Sequence, residues 1–227
     1  AQTEHARIGD SAQTPLERGH VFILLLAVGV AASCAIVYEL IIASTSSYLL
    51  GNGIYHFSVT IGLFMSSMGI GSFLSKFVVR RLVDRFILVE VGIGLLGGVS
   101  AAVLFGVYVQ TQRDLTYFLV MYGLIVAIGT LVGLEIPVLT RIMRDFGSLR
   151  VTLANVLTFD YIGALVGSLA FPLILLKTLG LVQTGFVVGF LNVLVGGVVL
   201  LKYWLEARVR CDGVEFQKSG TRSPPNQ

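Results

Sequence analysis

The chain has 227 residues, of which 55% are hydrophobic and only 13% charged, with a formal net charge of +3. A typical soluble domain has about a quarter of its residues charged, so this composition excludes an ordinary water-soluble enzyme of this size. It also excludes a nucleic-acid-binding module, because the basic residues flank apolar runs instead of forming one patch.

Residues 1–20 are polar and mixed in charge, and read as a cytoplasmic N-terminal segment. The first apolar run covers Val21–Ala43 and can extend to Leu50. It is too long for a signal-peptide core and has no clear cleavage site, so it reads as a retained helix. Five more runs follow: Phe57–Val79, Phe86–Val109, Leu115–Leu139, Thr158–Leu176 and Leu181–Leu205. Each is long enough to cross a bilayer. The runs are continuous rather than alternating, which predicts helices and not barrel strands. The predicted fold class is therefore an all-α integral membrane protein with six transmembrane helices filling residues 21–205. A polar tail, residues 206–227, is the longest polar stretch and leaves no room for a soluble catalytic domain.

Orientation follows from the Lys and Arg residues between spans. One set of alternate segments holds Arg7 and Arg18; Lys76, Arg80, Arg81 and Arg85; Arg141, Arg144 and Arg150; and Lys202, Arg208, Arg210, Lys218 and Arg222. The other holds only Arg113 and Lys177. This asymmetry predicts both termini in the cytoplasm and a bacterial-type inner membrane. Tyr203 and Trp204 suit an interfacial anchor at the inner end of the last span.

A shift of 96 residues lays the first three spans on the last three and superposes Glu39 on Glu135, Gly71 on Gly167 and Ser72 on Ser168. Three spans per repeat is an odd number, so the halves, about 21–109 and 115–205, would be inverted copies. Chance matches among common Gly and Leu residues are the competing explanation.

Four acids fall within or beside the spans: Glu39, Glu90, Glu135 and Asp160. A charge at the centre of a membrane helix costs about 2.5–3.5 kcal/mol on insertion scales, so each demands a reason. As binding residues they would form a polar path for a cation or amine. As structural residues, Glu90 and Asp160 would stand at helix N-termini and complement the dipole. Glu135 would then pair with Arg141 or Arg144, while Glu39 has no obvious local partner. Gly94 and Gly98, Gly129 and Gly133, Gly163 and Gly167, and Gly185 and Gly189 have the spacing that lets helices approach closely. Pro137 and Pro172 should kink their helices.

No dinucleotide fingerprint, P-loop or zinc-protease motif is present in the sequence. The three histidines, His5, His20 and His56, lie outside the predicted spans, and Cys34 and Cys211 are too far apart in context to suggest a disulfide. No metal site, no cofactor and no catalytic residue is expected. Bound lipid is the ligand that such a surface allows, and membrane lipids and other membrane subunits are the expected partners.

Several strings, in order, carry a family resemblance: Tyr38-Glu39-Leu40, Leu50-Gly51-Asn52, Gly69-Ile70-Gly71-Ser72, Gly133-Leu134-Glu135-Ile136-Pro137, Asp160 through Gly167, and Leu179-Gly180-Leu181. Over about residues 25–200 the chain resembles the transmembrane part of membrane-bound spermidine synthase-like proteins, major-facilitator-like modules fused to a spermidine synthase. The resemblance implies a soluble aminopropyltransferase domain after the membrane part, binding decarboxylated S-adenosylmethionine and a polyamine. No position here corresponds to its catalytic residues. The expected function is accordingly a non-catalytic membrane subunit or scaffold of a larger complex. The alternatives are a small amine or cation transporter using the intramembrane Glu residues, or the membrane anchor of a split synthase.

Overall fold

The structure, a computed structural model, describes residues 15–110, 114–143 and 149–220, and the side chains of residues 22–110, 115–143 and 150–201. Every element among them is helical. Helix α1 spans Pro15–Leu50, α2 Gly53–Leu74, α3 Leu82–Gln110, α4 Asp114–Ile142 and α5 Leu149–Ala170. A π-helical turn, Phe171–Leu175, and a short α6, Leu176–Thr178, prolong α5, and α7 runs from Gly180 to Gly220. Six helical stretches are long and apolar enough to cross a membrane by length and composition.

The helices overrun the apolar runs that announce them. The helix α1 starts inside the segment expected to precede it, and α7 enters the expected tail. Helix α5 begins at Leu149, well before Thr158, because Arg150, Thr152 and Asn155 are compatible with helix although they interrupt the apolar pattern. Conversely α2 stops at Leu74, where a 3-10 turn, Ser75–Phe77, takes over. Residues 1–14 and 221–227, Arg113 and Arg144 lie outside the described residues, as do the side chains of Tyr203 and Trp204.

The reversals are made by left-handed backbone. Gly51 (φ 73°) and Asn52 (φ 48°) turn the chain between α1 and α2, and Asn52 Oδ1 accepts from the Tyr55 N–H. Gly180 (φ 73°) turns it into α7. Such angles cost a side chain roughly 1–2 kcal/mol, except in glycine and, more mildly, asparagine. The turns are short, so successive long helices run antiparallel.

Helix α1 is the centre of the bundle and packs against α2, α3, α5 and α7. Its residues Ala27, Ala31, Ala35, Tyr38, Ile41 and Ile42 are buried. Three helix pairs approach closely through small residues. On α1·α5, a Cβ added to Gly163 would overlap the backbone of Gly29, and Ser33 Oγ donates to the Gly163 carbonyl at 2.7 Å. On α2·α4, a Cβ on Gly133 would overlap Met68, and one on Gly129 would stand 2.8 Å from Ser67 Cβ. On α3·α7, Gly94 and Gly98 meet Gly185 and Gly189 backbone to backbone. In lipid, close packing of this kind is what holds helices together.

Pro137 lies inside α4, which continues to Ile142 without a break. Pro172 is placed differently. It sits in the π-helical turn, a common way of absorbing a missing N–H donor. Outward-facing positions are apolar: Ile54, Phe77, Val109, Leu115 and Phe190 are all more than 60% exposed. A contiguous surface of this kind calls for an apolar solvent or partner.

Candidate functional site

The α3·α7 contact creates a polar centre in an otherwise apolar core. Without side chains at Gly94 and Gly196, the two backbones come close enough to place Asn192 against Glu90. Asn192 Nδ2 donates to Glu90 Oε2 at 2.8 Å and to the Glu90 carbonyl at 2.9 Å. Both residues are completely buried. Their remaining oxygens, Glu90 Oε1 and Asn192 Oδ1, have no hydrogen-bond partner, and neither has the buried hydroxyl of Tyr38.

Tyr38 reaches this region from α1. Its ring lies flat on the backbone of α3, where a Cβ on Gly97 would come within 2.6 Å of it. Cys34, one turn earlier on α1, is buried and free. Glu135 enters from α4, 4% exposed. Of the four acids singled out in the sequence, Glu90 is held against a partner on another helix, and Glu135 is buried on α4.

Glu39 is buried but stands apart: from the Ser46–Met121 contact it lies about two turns along α1, whereas Glu135 lies about four turns along α4. The pairing of Glu39 with Glu135 in one path is therefore not what the fold builds. Helix-terminal roles for Glu90 and Asp160 also fail. Glu90 lies about two turns inside α3 and Asp160 about three turns inside α5, beyond the reach of the first-turn dipole. Arg141, considered as a partner for Glu135, directs Nη1 to the carbonyls of Ser75 (2.9 Å) and Val78 (3.0 Å), closing the end of α2.

Sequence reasoning missed Asn192, the residue that organises the site. Its signal was present: an amide in the middle of a long apolar run is costly unless hydrogen-bonded. A second buried group went unnoticed as well. Tyr117 donates to Ser46 Oγ (3.1 Å), which in turn donates to Met121 Sδ (3.2 Å), tying α4 to α1 at the opposite end.

The chain is similar to enzymes of polyamine chemistry. Polyamine aminopropyltransferase 1 of Ralstonia nicotianae is 45% identical over 185 residues, 81% of this chain. The polyamine aminopropyltransferase of Leptospira interrogans is 42% identical over 80% of the chain, and polyamine aminopropyltransferase 1 of Streptomyces coelicolor 38% over 81%. The chain spans about a third of the length of these curated relatives, 34–35% of each. No protein-family model and no solved structure matches it.

These relatives correct the function expected from sequence. A non-catalytic subunit or scaffold of a larger membrane complex was the expectation, whereas relatives 34–46% identical over about four-fifths of the chain are named as aminopropyltransferases. Those relatives carry the name of an enzyme, and the similarity favours neither a transporter nor the anchor of a split synthase. The expectation rested on where the sequence stops, whereas the similarity itself covers about four-fifths of the chain.

Proposed function

We propose that this chain serves aminopropyl transfer to polyamines, as the membrane-embedded helical part of an enzyme of that kind. The observation that carries this reading is the similarity to aminopropyltransferases of several bacteria over about four-fifths of the chain. Burial fits the reading. Outward-facing side chains are large and apolar, and the polar groups Glu90, Asn192 and Glu135 are turned inward, the distribution required of helices in lipid.

Two finer features belong to the same proposal. The basic residues place both termini on the cytoplasmic face of an inner membrane. The helix pairs fit two inverted three-helix halves. Exchanging α1 with α4 and α2 with α5 turns the α1·α5 pair into α4·α2. The Ser33–Gly163 contact then falls on Gly129–Ser67, with serine and glycine interchanged at the 96-residue shift.

The test is made in the source cell with the gene as it stands. Membranes from wild-type, gene-disrupted and restored strains are given an isotope-labelled diamine and an aminopropyl donor. Labelled triamine should form in the first and third and fall to background in the second. Equal formation in all three overturns the proposal.

A further inference from the structure

We infer that the bundle core binds one compact monovalent cation, a proton or a sodium ion, between Glu90 and Asn192 with Glu135 alongside. The site is built from oxygen acceptors. Glu90 Oε1 and Asn192 Oδ1 belong to two fully buried, hydrogen-bonded residues, and neither oxygen finds a donor. The Tyr38 hydroxyl, also buried and unpartnered, comes from α1.

Among the described residues the buried side chains include Glu39, Glu90 and Glu135 but no Lys or Arg. An uncompensated buried carboxylate costs several kcal/mol, so something of positive charge must be held there. Asn192 on α7, the hydrogen-bond partner of Glu90, is uncharged, and the ionisable groups within reach of its charge, Cys34 and Tyr38 on α1 and Glu135 on α4, are all acids. None supplies that charge. Glu90 is the one carboxylate of the hydrogen-bonded pair, so the charge to be matched between the two residues is single. Hard oxygen donors select a proton or an alkali ion.

The inference concerns binding only, and it stands whether or not the chain serves aminopropyl transfer. The test follows thermal unfolding of the full chain in lipid nanodiscs. One series exchanges choline for sodium at fixed pH and ionic strength, one varies pH in choline, and one adds spermidine. The wild-type midpoint should rise by several degrees with sodium, which assigns the ion, or as pH falls, which assigns the proton. Glu90→Gln should abolish that response and, lacking the buried charge, should match or exceed the wild type in choline. Glu39→Gln, outside the group, should keep the response. Should Glu90→Gln fail to fold, Glu135→Gln together with the wild-type infrared carboxyl band and sodium-23 line width decides the matter. A wild type indifferent to both sodium and pH overturns the inference. So does an equal loss of response in Glu39→Gln, or a stronger response to spermidine than to either small cation.

Discussion

Asn192 and Glu90 are joined twice, once through the Glu90 carboxylate at 2.8 Å and once through its backbone carbonyl at 2.9 Å. The amide therefore fixes the rotation of α7 against α3 as well as their separation. Replacing Asn192 with Leu should remove both bonds and leave the carboxylate bare. Interhelical hydrogen bonds between membrane helices average about 0.6 and reach about 1.7 kcal/mol, and stranding a buried acceptor costs about 1–3 kcal/mol. The expected loss is therefore about 2 kcal/mol, measured by unfolding in mixed detergent micelles. A loss no larger than that of an outward-facing control such as Ser66→Ala would contradict the account.

The glycines divide into two classes. A side chain on Gly133 or Gly163 would overlap the backbone of the neighbouring helix, while Gly106 and Gly123 face open space. Gly133→Ala and Gly163→Ala should force their helix pairs apart and cost about 2–4 kcal/mol, as overpacked cores do at their worst. Gly106→Ala and Gly123→Ala should be neutral or stabilise by up to about 1 kcal/mol through helix propensity. Folded yield and melting temperature separate the two outcomes.

Arg141 closes the carbonyl end of α2 by donating to Ser75 and Val78. A guanidinium suits two divergent acceptors better than an ammonium does. Arg141→Lys should weaken and Arg141→Ala should free the segment between α2 and α3. Hydrogen exchange at residues 75–81 should rise in that order, with about 1–3 kcal/mol of local stability lost in the alanine variant. Unchanged exchange would show that the carbonyls are held by other groups.

Membrane orientation can be read chemically. Single cysteines introduced in the Cys34→Ala, Cys211→Ala background at Arg80 and at Asn52 lie at opposite ends of α2. An impermeant thiol reagent added outside intact spheroplasts should label the Asn52→Cys variant and spare Arg80→Cys. Reversed labelling would invert the assigned orientation.

Much of the architecture is a local property and was readable residue by residue. Apolar run length announces a helix wherever it falls, and Gly51-Asn52 and Gly180 announce reversals because few other residues tolerate those angles. Helix ends were less legible. Apolarity marks what can be buried in lipid, whereas Arg150, Thr152 and Asn155 remain helical without being apolar. This is why Glu90 and Asp160 looked terminal and proved internal.

Composition and order by themselves determined that this is a bundle of six apolar helices with small residues at the contacts, since hydrophobic length and side-chain size are written at each position. Only the tertiary structure decided that Glu90 meets Asn192, that Arg141 turns to the end of α2 and that Glu39 and Glu135 lie at different depths. Those outcomes depend on the rotation of each helix about its axis. That rotation is set jointly by every neighbour it packs against.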